Sequence, residues 1–190
     1  MLKPLKLSIT KTANTATIKY HLLDGLFELS FSYEGNSLVV KPSLKNNNQP
    51  ANFVSIIRDA EVKNVSKIYR TPTHIMGNGG MIDWPVRKMD YSSCGILTGL
   101  VADSGASMVI ATRDFNKYNS YTNIIPTERN GGKKLLEACI ATEGLPPTSL
   151  PAFYFTQNPS AYSAMQNEAN AIATFMKVKT DKKQSYHWCS

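Results

Sequence analysis

Charged residues are scarce in this chain of 190 residues, where Asp, Glu, Lys and Arg together make up 18%. An average globular domain has about 25%. Disordered chains combine high charge with few apolar residues, and coiled coils are rich in Glu, Lys, Leu and Ala. The hydrophobic content of 42% therefore argues against disorder, and the low content of charged residues argues against a coiled coil. No stretch approaches the roughly 18 consecutive apolar residues of a membrane-spanning helix, so none is predicted.

Cysteine and histidine are also few, with three of each. No CxxC pair occurs, and no histidine lies at metal-ligand spacing from a cysteine, which argues against a structural zinc site and predicts no metal. Cys94 and Cys139 fall in segments predicted to share one core, so they are either a disulfide candidate or two buried thiols. Cys189 is next to the last residue and is expected to be unbridged.

Catalytic motifs are missing as well. The chain has no GxxxxGK[ST] phosphate loop, no HExxH, no GxSxG and no calcium-binding DxDxDG. Gly77-Asn78-Gly79-Gly80 resembles a phosphate cradle but lacks the dinucleotide pattern, so a turn is expected. An enzyme would have to use His74 and Asp83, with Cys94 as nucleophile, and sequence alone cannot place these side chains together. We therefore predict a non-catalytic protein without a cofactor.

Alternating apolar and polar residues dominate the first 45 positions. Apolar side chains recur at every second residue in runs starting at Leu5, Ala16, Phe27 and Leu38. This period of two predicts strands with one buried face. Asp24-Gly25 and Glu34-Gly35-Asn36 supply the turns, which predicts a four-stranded antiparallel meander. Further strands are predicted at residues 53–57, 65–69, 94–101, 106–112 and 122–125.

Helical spacing occurs twice near the C-terminus. Leu135, Leu136, Cys139 and Ile140 lie three and four residues apart and predict a short helix near 133–142. Asn158-Pro159 is a favourable helix start, and an apolar stripe follows it: Tyr162, Met165, Ala169, Ile172 and Met176. Phe153-Tyr154-Phe155 is predicted to pair at a sheet edge. The expected fold is mainly β with α: an antiparallel β-sandwich with the short helix and a C-terminal helix near 159–177.

The net charge of +7 could indicate a nucleic-acid partner. The excess is spread along the chain except in residues 177–190, which form a basic tail on a single domain of residues 1–190. Nucleic-acid binding needs Lys and Arg gathered on one surface, and five arginines are few for that role. Tyrosines beside Asn and Ser in a polar loop favour protein recognition instead. The candidate binding residues are Tyr118, Tyr121, Lys182, Lys183, Tyr186 and Trp188.

Residues 94–140 carry a recognisable order: Cys94, a strand, Asp103-Ser104-Gly105, a strand from Met108, a strand ending near Ile125, then Gly132 and a short helix. This order resembles the end of small envelope proteins of the invasion-associated locus B type. The resemblance covers about a quarter of the chain and implies an exported bacterial β-sandwich without known catalytic residues. The early Trp and Cys of that family have no match here.

Two functions follow from these observations. The first is a non-catalytic binding or structural module of the bacterial envelope or of a secretion assembly, acting through protein–protein contacts. The second is an intracellular basic protein of a mobile element that binds nucleic acid or inhibits a host protein. The start of the chain, residues 1–6, has no apolar run typical of a signal peptide. The high content of 17 Ser, 15 Thr and 15 Asn favours a periplasmic or envelope location. The alternative is the cytoplasm.

Overall fold

The structure, a computed structural model, describes residues 4–46, 53–72, 82–85, 93–102, 104–114, 119–125, 135–142 and 149–177. Within these ranges the chain forms twelve strands and one helix. In chain order they are β1 (Lys6–Lys11), β2 (Thr15–Leu22), β3 (Gly25–Glu34), β4 (Ser37–Lys45), β5 (Phe53–Glu61), β6 (Val65–Pro72), β7 (Ile82–Pro85), β8 (Ser93–Ala102), β9 (Ser107–Thr112), β10 (Asn119–Ile125), β11 (Leu135–Ala141), β12 (Phe153–Asn158) and α1 (Ala161–Phe175).

The N-terminal meander is confirmed. Strands β1 to β4 pair in sequence order, each antiparallel to the next. The β2–β3 connection is a two-residue turn at residues 23–24, because Leu22 pairs with Gly25. The β3–β4 turn places Gly35 at φ +58°, a left-handed conformation that glycine adopts without steric cost. Short turns of this kind fix the register, so Ile9, Ile18 and Leu29 lie on one face of the meander.

All described strands belong to a single antiparallel sheet in the order β1-β2-β3-β4-β12-β9-β8-β10-β11-β5, with β6 paired to β7 and β8. Strand β12 lies between β4 and β9 and pairs with both. The prediction that residues 153–155 lie at a sheet edge is therefore wrong. Three consecutive aromatic residues, Phe153 to Phe155, are compatible with an edge strand and with a central strand. The position of a strand in a sheet depends on other strands that are distant in the sequence.

The sheet curls so that β5 and β11 pack over β8, β9 and β12, which gives a sandwich-like arrangement made from one continuous sheet. The main core cluster joins side chains from both layers: Leu100, Ile110, Leu136, Ala138, Ile140, Leu150 and Phe153. Ile110, Ala138 and Ile140 are at most 1% exposed. Burial of these aliphatic groups is the main term that holds the curled sheet closed. The mainly β fold with a C-terminal helix is confirmed.

The predicted short helix near 133–142 is wrong, because residues 135–141 form strand β11. This strand lies between β10 and β5 and pairs with both. Leu136, Ala138 and Ile140 face the core at every second position, and Cys139 on the opposite face is also buried. A strand buried on both faces is a continuous apolar run, which periodicity alone cannot distinguish from a buried helix. The helix in the order that resembles the envelope family is therefore a strand.

The C-terminal helix is confirmed over Ala161–Phe175. Ser160, not Asn158, is the N-cap residue, and its hydroxyl accepts a hydrogen bond from the Ser163 N–H at 3.3 Å. Asn158 instead accepts from the Ser160 N–H at 2.9 Å. The buried face is rotated from the predicted stripe, because it consists of Ala161, Ala164, Met165 and Glu168, whereas Tyr162 is 61% exposed. No helix in the described ranges is long and apolar enough to cross a membrane.

The sheet register separates the two cysteines that the sequence offered as a disulfide candidate. Cys94 lies on β8 opposite Asn123, and Cys139 lies on β11 opposite Tyr121, so strand β10 runs between them. Two strand spacings amount to about 9.5 Å, beyond the roughly 7 Å limit between the Cα atoms of a disulfide. Cys139 is 4% exposed and is not part of a disulfide. The prediction of a Cys94–Cys139 bridge is therefore wrong, because strand β10 lies between the two cysteines.

We expect the Cys139 thiol to resist alkylation in the folded protein, because it is buried, and to react fully in denaturant without a reducing agent, because it is not in a disulfide. Peptide mapping by mass spectrometry after alkylation under both conditions measures this for Cys139 separately from the other cysteines. A Cys139 thiol that reacts in denaturant only after reduction would contradict the register.

Candidate binding groove at the turn end of the sheet

The binding residues predicted from sequence do not form a described site. Tyr118, Lys182, Lys183, Tyr186 and Trp188 lie outside the described residues, and so does His74. Tyr121 lies in the middle of β10, opposite Cys139, which places it within the sheet and not in a loop. Asp83 lies in β7 opposite Tyr69. The structure therefore neither groups these residues nor tests their roles.

Three turns instead converge at one end of the sheet and enclose a surface depression. They are the β3–β4 turn, the β8–β9 turn and the segment that links β12 to α1. The depression has a volume of about 710 Å³ and is lined by Tyr33, Gly35, Asn36, Ser104, Gly105, Ala106, Gln157, Asn158 and Pro159. None of these residues carries a formal charge. Tyr, Ser, Gly and Asn are the types that supply adaptable hydrogen bonds and aromatic contact area in protein-recognition loops.

A second depression of about 410 Å³ opens from the first and runs along the sheet. Tyr33, Asn36, Ala106 and Gln157 line both depressions. The side chains that line only the second are mostly apolar and come from five strands: Leu38, Val65, Leu100, Ala102, Ser107, Met108 and Phe155. We call the two together the turn-end groove. It has a polar outer part and an apolar inner part that reaches the residues of the main core.

Hydrogen bonds to backbone carbonyls hold the segments around the groove in place. The Gln157 N–H donates to the Asn36 carbonyl at 3.3 Å, which joins the end of β12 to the β3–β4 turn. The Ser107 hydroxyl donates to the Asn158 carbonyl, which joins β9 to the end of β12. In the β8–β9 turn, the Gly105 N–H donates to the Ala102 carbonyl at 2.9 Å. A rigid sheet therefore positions the groove, as is usual for binding loops.

A buried polar network lies on the other face of β12, directly behind the groove. The Arg113 Nε and Nη2 atoms donate to the two carboxylate oxygens of Glu168 at 3.1 Å each. Thr156 donates to Glu168 Oε1 at 2.8 Å, and its hydroxyl lies 2.6 Å from that of Ser37. Glu168 is 3% exposed, so this two-point ion pair anchors α1 to β9, β12 and β4 in a position shielded from water.

The pKa values of Arg113 and of the neighbouring Tyr154 are both raised. Burial lowers the pKa of the Arg113 guanidinium, but the hydrogen bonds and charge of Glu168 outweigh that effect and leave the pKa raised. The Arg113 Cζ atom lies 3.7 Å from the centre of the Tyr154 ring. Burial raises the pKa of the Tyr154 phenol, and the negative charge of Glu34 raises it further. Arg113 is therefore held as a cation between a carboxylate and an aromatic face.

Part of the positive charge of the N-terminal meander is compensated locally. Glu28 is 8% exposed and forms ion pairs with Lys45 at 2.6 Å and Lys19 at 3.1 Å. The hydrogen bond from Lys45 is the main cause that holds the pKa of the Glu28 carboxyl below its ordinary value, against the effect of burial. These two lysines already have a carboxylate partner, so they do not present free charge as a phosphate-binding surface requires.

Sequence reasoning missed the turn-end groove because its residues come from four separate stretches of the chain. The available signals were the glycine-containing turns at Gly35 and Gly105 and the polar residues beside them. Comparison with known protein families finds no family that matches, and comparison with curated proteins finds no match. No cluster of three or more His, Cys, Asp or Glu side chains suited to a metal ion occurs among the described residues.

Replacing Arg113 with Met should destabilise the fold by about 3 kcal/mol, because it leaves the Glu168 carboxylate buried without its cation. The double variant R113M/E168L should lose less, since no charge stays buried in it. Urea unfolding at neutral pH, followed by circular dichroism, measures both free energies. A double variant less stable than R113M would contradict the proposed anchoring by charge.

Replacing Glu28 with Gln should reduce stability by about 1 kcal/mol or less at neutral pH, because the partner lysines are partly exposed. The pKa of Glu28 is lower in the folded than in the unfolded chain. The ion pairs therefore stabilise the fold above the unfolded pKa, and this contribution disappears as the pH falls through the folded pKa. Urea unfolding of wild type and E28Q should differ near pH 7 and converge in acid. A difference that grows in acid would contradict this assignment.

Proposed function

We propose that this chain is a non-catalytic binding module that recognises a protein partner through the turn-end groove. The observation that carries the proposal is the continuity of the groove's uncharged polar part with its apolar part. Protein interfaces have this anatomy, with an apolar centre surrounded by a polar, hydrogen-bonding rim. A partner would insert an apolar side chain beside Leu38, Met108 and Phe155 and form hydrogen bonds with the amides of Asn36 and Gln157.

We expect Tyr33 to contribute more to the binding free energy than any other residue of the groove. Its side chain lines both parts of the groove and is 74% exposed, so it is available to a partner. Tyrosine is enriched among the residues that dominate interface energies, because it combines a large rigid ring with a hydroxyl group. The side chains that line the groove offer aromatic contact, apolar contact and hydrogen bonds, which is the chemistry of recognition.

The proposed setting is the bacterial envelope or a secretion assembly, in which the chain is one subunit of a complex. Support for this setting comes from the resemblance of residues 94–140 to the envelope proteins of the invasion-associated locus B type and from the abundance of Ser, Thr and Asn. Fractionation of cells that express the native gene measures the location. Recovery in the cytoplasmic fraction alone would contradict this setting.

A photo-reactive benzoylphenylalanine at position 33, expressed in the native host, should cross-link a discrete protein on irradiation. The matched control is position 162, because Tyr162 is also an exposed tyrosine, at 61%, but lies on α1 outside the groove. Ala106 is exposed and lines the groove, so A106R in the position 33 background should remove the adduct by blocking the groove.

Mass spectrometry and gel electrophoresis detect the adduct. The same adduct from position 162, persistence of the adduct in A106R, or an adduct with nucleic acid in place of protein would each contradict the proposed function.

A further inference from the structure

Strand β1 is the outermost strand of the meander, and β2 is its only partner among the described strands. The outer edge of such a strand presents backbone N–H and C=O groups in the positions that a further strand would bind. The Thr12 N–H donates to the Thr15 carbonyl at 2.9 Å, in the same register as the β1–β2 pair. Along an antiparallel strand, the N–H and C=O groups of successive residues point alternately to one side and to the other. Those of residues 7, 9 and 11 therefore point away from β2.

The two ends of the sheet differ in how they are protected. At the β5 end, Asp59 has φ +54° and the β5–β11 register shifts twice, so the strand is irregular. Irregularities of this kind hinder edge-to-edge pairing. Strand β1 has neither a positive φ nor a register shift, because each of its six residues is paired one to one with β2. Its outer edge is a regular template for a further strand.

An apolar row runs along the same strand. Leu5, Leu7 and Ile9 lie on one face and are 70%, 51% and 55% exposed. Scattered exposed apolar residues are normal on protein surfaces, but three at consecutive alternate positions form a continuous patch. The patch lies at the open edge, so a strand added there would cover both the unpaired backbone and part of the apolar row.

We infer that β1 pairs with β1 of a second copy of this chain in an antiparallel arrangement centred on Ser8. A two-fold axis perpendicular to the sheet does not exchange the two faces. A side chain on one face is therefore next to side chains on the same face of the copy. Centring the pair on Ser8 then places Leu7 opposite Ile9 of the copy, and Ile9 opposite Leu7. The contact is self-complementary, and residues 7 and 9 are the ones whose backbone groups point outward.

Charge is compatible with this register. Lys6 lies opposite Thr10 of the copy and Lys11 lies opposite Leu5, so no lysine faces a lysine, an arrangement that would be destabilising. Centring the pair on Ile9 would place Leu7 opposite Lys11, and centring it on Leu7 would pair only residues 6–8 of the strand. Within residues 6–11, the register centred on Ser8 pairs residues 6–10, matches Leu7 with Ile9 at two positions, and sets no lysine of the strand opposite an apolar residue of the strand.

Cysteine substitution tests the register. Two Ser8 residues on the axis would have Cα atoms about 4.5 Å apart, within disulfide range. S8C should therefore give a covalent dimer on mild oxidation. Two Thr10 residues would be separated by four residue steps, about 14 Å. T10C should therefore form no more covalent dimer than the unsubstituted chain. Equal cross-linking by both variants, or none by S8C, would overturn the inference.

Sedimentation velocity over a concentration series tests the dimer itself. The unsubstituted chain should shift from monomer to dimer as its concentration rises. I9K should remain monomeric, whereas L23K, which changes a leucine that is 81% exposed at the β2–β3 turn, should dimerise normally. Equal melting temperatures for the three proteins, measured at a concentration low enough for all to be monomeric, exclude unfolding as the cause. A wild type that stays monomeric at every concentration, or an I9K that dimerises, would overturn the inference.

Discussion

Strand β12 holds the two halves of the sheet together. On one side β12 pairs with β4, the last strand of the N-terminal meander. On its other side β12 pairs with β9. Its alternating side chains serve both faces, since Phe153 lies in the main core while Thr156 hydrogen-bonds Glu168 of α1. Without this strand, the meander, the core and the helix would have no common support.

The turn-end groove depends on the same strand. The last residues of β12, Gln157 and Asn158, form one wall, and their backbone groups are hydrogen-bonded to Asn36 and Ser107. The Arg113–Glu168 pair lies behind this wall and fixes the helix that follows. The chain thus combines a rigid buried frame with uncharged groove residues on its surface, an arrangement that supports the proposed binding role.

Much of the fold could be predicted from sequence because the signal was local. The β3–β4 turn contains Gly35, and Gly25 directly follows the β2–β3 turn. Alternation was clear wherever one face of a strand meets water. Prediction failed where burial on both faces removed the alternation, as in β11. The rotated face of α1 was missed for a related reason: Glu168 is buried only because Arg113, 55 positions earlier, provides its charge partner.

The candidate site could not be predicted because it depends on long-range pairing. Tyr33, Ser104 and Gln157 become neighbours only when β12 inserts between β4 and β9, and nothing local in the sequence indicates that insertion. Sequence reasoning favoured clusters of neighbouring residues, such as Tyr118 and Tyr121 or the basic tail. Residues that are close in the sequence can be recognised as a loop or a tail. A groove that is built by several strands can be recognised only when the order of the strands in the sheet is known.

Hydrogen exchange of the chain, purified alone and in complex with the partner it retains from its native host, tests the recognition account most directly. If the turn-end groove binds the partner, segments 33–38, 104–108 and 155–158 should exchange more slowly in the complex, and α1 should be unchanged. Protection confined to residues 178–190, with these three segments unaffected, would contradict it.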